Sequence, residues 1–308
     1  MRRLRFDKRL QHCDFCPHNC GADRIAGKKG YCNLDASYHV ASVTLHRGEE
    51  PAVGGAAGIC NVFFSHCNMQ CVYCQNYQIS RNSRFDADKS YEFEVLYRMI
   101  AECMEKHGTN RVGFVSPSHN VPQVIELAGR LKEDFPGIVT VYNTNSYERP
   151  EVIKEVAQFI DIFLPDFKYF DDRLARKYSK VKDYFHYASG SIAAMLATKG
   201  EPLFDDNGYM VSGVIIRHLI LPGETEDSVK VLEYIATHWG TQVYLSLMAQ
   251  YYPVLETRYE NLNRKLTGDE YEKVIDKVME LGFENGWIQE LDSAEVYLPD
   301  FTKEKPFE

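Results

Sequence analysis

The chain has 308 residues, 44% of them hydrophobic and 26% charged, so it can bury a substantial core without disulfide staples. Its formal net charge of -9 argues against general nucleic-acid binding, because no broad surplus of Lys and Arg exists to neutralise phosphates. No stretch reaches the roughly 20 apolar residues of a membrane helix, and the basic start at Arg2, Arg3 and Arg5 has no apolar run behind it. A cytoplasmic protein with no membrane partner is expected, and in a reducing compartment nine clustered cysteines point to metal rather than to disulfides.

Residues 1–50 hold four of those cysteines, with Gly27, Gly30 and several cations between them, and read as a small Cys-rich, metal-binding lobe. From residue 59 onward, short apolar runs alternate with longer amphipathic ones, and residues 51–308 read as the main domain. A strand is expected at 59–65, then a helix at 95–106 whose Val95, Leu96, Met99, Ile100 and Cys103 share one face. A strand at 111–115 and a helix at 122–133 follow, then a strand at 138–142, a helix at 150–158 and a strand at 160–164. The charged stretch 171–183 reads as a solvated helix or loop. Beyond it come a helix at 185–198, a strand at 211–221, a helix at 224–238, a strand at 243–247 and a last helix from the capping box Thr267-Gly268-Asp269-Glu270. Six strands separated by helices predict an α/β fold with a parallel sheet, since parallel neighbours need a crossover.

The run Ser65-His66-Cys67-Asn68-Met69-Gln70-Cys71-Val72-Tyr73-Cys74 follows the first of these strands. Three thiolates in eight positions can hold three corners of an iron–sulfur cubane and leave the fourth iron open to an exogenous ligand. A zinc site would need a fourth ligand nearby, and three core cysteines would not explain the flanking Asn68, Gln70 and Gln75.

This spacing, with Tyr73 before the last cysteine, resembles the radical S-adenosylmethionine (radical SAM) superfamily. More narrowly the chain resembles an iron–sulfur branch related to the pyruvate formate-lyase activating enzymes. The resemblance rests on Cys13-Asp14-Phe15-Cys16-Pro17-His18-Asn19-Cys20, Val62-Phe63-Phe64-Ser65-His66-Cys67, Ile79-Ser80, Ser116-Pro117-Ser118-His119, Leu164-Pro165-Asp166-Phe167-Lys168-Tyr169, Arg217-His218-Leu219 and Met248-Ala249-Gln250-Tyr251. It implies a partial (β/α)6 TIM-like barrel and a four-iron, four-sulfur (4Fe–4S) cluster on Cys67, Cys71 and Cys74. S-adenosylmethionine would chelate the open iron and be cleaved reductively to a 5′-deoxyadenosyl radical that abstracts hydrogen from a substrate. An electron donor such as flavodoxin or ferredoxin is implied, and with it a possible protein substrate in which a glycyl radical is installed. Radical modification of a peptide or small molecule, or non-catalytic electron transfer, are the alternative readings.

Arg217 lies in an apolar strand, where a guanidinium is costly without an anion; the methionyl carboxylate would serve, as would an internal salt bridge with Asp166. Asp166 and Lys168 share one face at the strand's C-terminal end, where ligands of parallel sheets gather, and the resemblance implies that such a pair contacts S-adenosylmethionine. Asn143 and Asn145 suit ribose or adenine as well as an ordinary turn. Ser116 and Ser118 stand where many superfamily members carry Gly-Gly-Glu, and could accept from the methionyl ammonium. Tyr73 is expected beside the cofactor, and Gln250 and Tyr251 in the substrate pocket. Cys13, Cys16, Cys20 and Cys32 supply four thiolates, a closed set that suits structural zinc or an auxiliary iron–sulfur cluster; the lobe's low apolar content favours zinc.

Overall fold

A computed structural model describes residues 7–83, 89–291, 298–303 and 305–307; the basic start lies outside them. Ten strands are described: β1 (Tyr38–His46), β2 (Ile59–Phe64), β3 (Ser90–Tyr91), β4 (Arg111–Val115), β5 (Val139–Thr144), β6 (Ile162–Pro165), β7 (Leu203–Phe204), β8 (Met210–Leu219), β9 (Tyr244–Met248) and β10 (Asn285–Ile288). The helices are α1 (Asp7–Leu10), α2 (Pro51–Gly54), α3 (Tyr77–Ser80), α4 (Phe93–His107), α5 (Val121–Asp134), α6 (Pro150–Val156), α7 (Asp172–Ser179), α8 (Tyr184–Lys199), α9 (Thr225–Trp239) and α10 (Gly268–Leu281).

Strands β2, β4, β5, β6, β8, β9 and β10 are parallel in that order, β1 joins β2 antiparallel, and the sheet does not close. This is the open α/β partial barrel expected, with β10 as a seventh parallel strand. Residues 38–46, assigned above to the Cys-rich lobe, form the edge strand of the barrel sheet. A register shift between Val40 and Ser42 moves the apolar residues from one phase of the pleat to the other, so no period-two pattern runs through β1.

Alternation along the strands separates two cores. On the helix side, Val62, Phe64, Val112, Phe114, Tyr142, Phe163, Val214 and Ile216 pack against α4, α5, α6, α8 and α9. Leu96 and Ile100 of α4 are fully buried there, each contributing about 2 kcal/mol of transfer free energy. The opposite phase forms a smaller cluster of Ile59, Val139, Val141, Ile162, Leu164 and Ile215 in the barrel lumen, and the short α2 enters it with Ala52 and Val53. Arg111 fastens this plug by donating to the carbonyls of Val53 at 3.0 Å and Met210 at 2.8 Å. The last helix opens with the expected capping box: Thr267 accepts from the Glu270 amide at 3.3 Å, and Glu270 reaches back to the Thr267 amide at 3.0 Å.

Among the described residues the first lobe has no separate core. Leu10, Phe15 and Leu34 are buried, with Leu10 and Phe15 in the helix-side cluster, and the fully buried Arg24 donates to the carbonyls of Asp35 and His119. Packing against the barrel therefore contributes to the stability of the lobe.

Two buried histidines make the fold acid-sensitive. Burial pushes His119 down to about 3 and His218 down to about 4, while each ring bonds a carbonyl, of Ser65 and Phe167 respectively. The unfolded chain takes up these protons near pH 6.5, so their contribution is complete above that pH and is lost as pH falls toward the folded values. Urea titrations followed by circular dichroism should show stability falling between about pH 7 and about pH 5 by about 2 kcal/mol per ring, and His218→Asn should remove its share of the slope. An unchanged slope in that variant would refute the assignment.

Candidate active site

Loops leaving the C-terminal ends of the parallel strands build one cavity. It is lined by Cys67, Cys71, Tyr73 and Cys74 after β2, Ser116 after β4, Asn143 and Asn145 from β5 and its loop, Asp166 and Lys168 after β6, Arg217 of β8, and Gln250 and Tyr251 after β9. Three residues that follow these strands, His66, Ser116 and Ser146, adopt left-handed backbone with φ of 64°, 54° and 61°. Such strain persists only where surrounding structure over-determines it, and here it turns each loop back across the rim.

Each of the three clustered thiols has its own donor. Cys67 accepts from the Met69 amide at 3.3 Å and from Asn145 Nδ2 at 3.4 Å. The Ser179 hydroxyl donates to Cys71 at 3.0 Å and the Ser80 hydroxyl to Cys74 at 3.2 Å. Burial and then the neighbouring Cys71 push the Cys67 thiol up; burial raises Cys71 to about 11, against the opposing charge of Lys168. Three thiols that crowd one another in this way suit a cationic metal core that would neutralise them together.

The stretch 171–183 was expected to be solvated, and Arg173 on it is. Its other face backs the cluster loop: Tyr178 and Ser179 are buried, and their carbonyls accept from the amides of Val72 at 2.8 Å and Gln70 at 3.1 Å. On the opposite side Asn82 accepts from the Cys67 amide at 3.1 Å and donates to the carbonyls of Cys67 and Tyr31. His18 stacks on Tyr31 with ring centroids 3.6 Å apart and bonds the Asn68 carbonyl at 2.7 Å.

Beneath the loop runs a row of buried charges. Lys168 Nζ lies 2.6 Å from Asp166 Oδ2, and Arg217 Nε lies 3.0 Å from Asp166 Oδ1. Arg217 also stands 3.6 Å from Glu49 and 3.9 Å from Glu50, two acids carried up the lumen by the plug. Burial alone would raise Asp166, but Lys168 and Arg217 outweigh it and hold its carboxyl below the usual range. Glu50 is pushed up by burial, against the pull of Arg217. The internal partner considered for Arg217 is therefore present, together with two that the sequence did not suggest. Their only sequence signal was a pair of acids before Pro51, with nothing to place them inside a barrel.

Other expected residues divide. Asn143 and Ser116 face the cavity. Asn145 does so too, but its side chain is committed to Cys67, to Asn68 at 2.8 Å and to the Tyr147 amide at 2.9 Å. Ser118 lies outside the cavity lining, fully buried 3.1 Å from the Thr144 hydroxyl in a network with Glu148. Tyr73 bonds the Tyr169 hydroxyl at 2.5 Å, and Tyr251 donates to the Leu262 carbonyl at 2.7 Å, so each presents its ring to the cavity with its hydroxyl satisfied.

In the lobe, the Cys20 thiol donates to the Cys13 carbonyl at 4.0 Å, and hydrogen bonding between the two side chains raises Cys13 and lowers Cys20 to about 5. Gly30 packs so closely on the Cys20 sulfur that a Cβ there would collide with it. Among the described residues no three His, Cys, Asp or Glu side chains converge tightly enough to hold a single ion. A cubane spreads its ligands over separate corners, so this does not count against Cys67, Cys71 and Cys74.

Comparison with known proteins places the chain. An uncharacterized protein of Methanocaldococcus jannaschii is 28% identical over 276 residues, covering 87% of this chain and 74% of that protein. Among solved structures, native anSMEcpe with bound AdoMet aligns at 16% identity and a TM-score of 0.47, covering 70% of this chain and 57% of that one. SuiB of Streptococcus suis bound to S-adenosylmethionine aligns at 12% identity and a TM-score of 0.47, covering 75% of this chain and 50% of that one. The chain thus spans about half the length of those two structures. A domain of a pyruvate-formate lyase-activating enzyme from Bacteroides vulgatus aligns at 14% identity and a TM-score of 0.41, covering 56% of this chain and 92% of that domain. Residues 61–235 match the family model of the radical SAM superfamily, a span that takes in the cluster loop and every strand from β4 to β8, and on that match the chain belongs to the superfamily.

Proposed function

We propose that Cys67, Cys71 and Cys74 hold a 4Fe–4S cluster and that the adjoining cavity binds S-adenosylmethionine for radical chemistry. Membership of the superfamily implies both cofactors. The observation that carries the residue assignment is the three thiols on one rim loop, each supplied with a hydrogen-bond donor beside a cavity that holds Asp166, Lys168 and Arg217. Bound together, the cofactors supply one-electron cleavage of a sulfonium carbon–sulfur bond and a carbon radical able to abstract hydrogen.

The chain's own part is positioning. Asn82 and the Ser179 and Tyr178 carbonyls fix the cysteine loop from both sides. Lys168, next to Cys71, offsets the negative charge that thiolates bring to the site. Arg217 offers a guanidinium whose charge is already balanced from below by Asp166, Glu49 and Glu50, Ser116 offers a polar group to the methionyl ammonium, and Asn143 offers one to the nucleoside. Met248, Leu219 and Tyr251 give the cavity apolar walls that limit water. A second metal on Cys13, Cys16, Cys20 and Cys32 is part of the same proposal, its identity to be read by metal analysis of a Cys67/Cys71/Cys74 triple alanine variant.

Anaerobically reconstituted protein given dithionite and S-adenosylmethionine should release 5′-deoxyadenosine and methionine, and Cys71→Ala should lose that product while keeping its circular dichroism. Wild-type protein that assembles a cluster yet forms no product would favour electron transfer without catalysis. The donors make a separate prediction. Hydrogen bonds to cluster sulfurs stabilise the more negative, reduced state, so Ser179→Ala and Ser80→Ala should each lower the cluster potential. A differential of about 1 kcal/mol per bond corresponds to about 40 mV for one electron, readable by redox titration with electron paramagnetic resonance; potentials that stay put in both variants would count against these cysteines as ligands.

A further inference from the structure

Two cysteines outside the cofactor cavity meet across the helix-side core. Cys60 of β2 is fully buried and faces α4 with Val62 and Phe64, while Cys103 of α4 is only half-buried and packs against the same cluster. The Cys60 Sγ lies 3.9 Å from the Ile100 carbonyl, and Ile100 stands one helical turn before Cys103. The two thiols hydrogen-bond each other there.

Core thiols are ordinarily inert and serve as small apolar groups. These two differ in a way that packing does not require, since one is open to solvent and the other is shielded behind it. The bond to Cys60 lowers the Cys103 thiol, burial opposes that, and the charge of Lys106 adds to the lowering; the same bond, then burial, raises Cys60. An accessible sulfur prone to ionise, backed by a second thiol, is the arrangement in which oxidation stops at a reversible disulfide. We propose that Cys103 and Cys60 form a peroxide-reactive site, with Cys103 the attacking sulfur and Cys60 the resolving one, that closes to a disulfide between α4 and β2. The Cys103 thiolate attacks one oxygen of hydrogen peroxide: the S–O bond forms, the O–O bond breaks, and the departing hydroxide takes up the proton that Cys103 gave up. The Cys60 sulfur then attacks the sulfenic sulfur, the S–S bond forms, and the Cys60 proton leaves with the departing hydroxide as a second water. The two sulfurs together lose the two electrons that the peroxide gains, and a dithiol reductant reverses the bond. Residues 60–103, the loop that the bond closes, contain Cys67, Cys71 and Cys74, so oxidation ties together the ends of the segment that carries the rim thiols.

The test is hydrogen peroxide treatment of the full-length protein beside its Cys67/Cys71/Cys74 triple alanine variant, in which Cys60 is the sole cysteine between Arg47 and Arg81. Alkylation, tryptic digestion and mass spectrometry should find the Met99–Lys106 peptide joined to the Cys60 peptide in both proteins, and dithiothreitol should release it. In Cys60→Ala the join is lost and a Cys103 sulfenic acid accumulates, trapped by dimedone. In Cys103→Ser, at the half-exposed position, neither product forms while circular dichroism stays that of the folded protein, so this variant carries the control even where Cys60→Ala does not fold. Closing the loop should raise the thermal midpoint of the oxidised triple variant by about 5 °C. The proposal is overturned if Cys103 is carried to sulfinic acid with Cys60 still reduced, if Cys103 joins a rim or lobe cysteine instead, if the joined peptide appears only in urea, or if the midpoint is the same with and without the bond. The triple variant lacks the rim thiols, so failure here is distinguishable from failure of the cluster assignment.

Discussion

Asp166 is the interaction point on which the site depends. One carboxylate, less than one-fifth exposed, pairs with Lys168 on one oxygen and Arg217 on the other. Removing an ion of that kind from water costs several kcal/mol, and the cost is recovered only where every charge has a close partner. From Lys168 through Asp166 to Arg217 the row meets that condition by alternating sign, and Glu49 and Glu50 lie on the far side of Arg217, so the row binds β6, β8 and the plug into one unit. Without Asp166 two cations would face each other beneath the cysteine loop, and neither the strand ends nor the thiols above them would keep their places.

That row also explains why the barrel is plugged from its N-terminal end. Glu49 reaches the lumen because Asn61 donates to it at 2.9 Å, and Asn61 has room to do so because Gly113 on the neighbouring strand lacks a Cβ, which would otherwise collide with the Asn61 side chain. Ala52 and Val53 then fill the space below. A polar contact that looks local on β8 therefore rests on a glycine two strands beyond β6 and on a helix of four residues.

The parts legible in the sequence were those whose signal is local. Cys67, Cys71 and Cys74 stand in eight consecutive positions, the parallel strands are unbroken apolar runs, and Asp166 and Lys168 share a face by simple alternation. What stayed hidden is assembled from distant segments or blurred by local geometry. Ser80 and Ser179 are unremarkable serines until folding brings their hydroxyls to sulfur. The stretch around α7 reads as solvated because its charges are dense, although one face is buried. Ser118 was expected at the cavity because its run stands where many superfamily members carry Gly-Gly-Glu, but the left-handed turn at Ser116 carries it into the buried network of Thr144 and Glu148. β10 is only four residues long, too short for periodicity to reveal.

The fastening of the cysteine loop follows from how steeply its interactions depend on distance. Donors to sulfur act over little more than 3 Å, so a shift of an ångström would lose them. The loop cannot secure that precision by itself, since it contains no regular element between Phe64 and Tyr77. It is held instead from three directions: by α7 through two carbonyls, by Asn82 through the Cys67 backbone, and by the first lobe through His18 and Tyr31. The lobe cysteines and the rim cysteines are thereby joined through one stacked pair of rings, so whatever orders the lobe also sets the environment of Cys67.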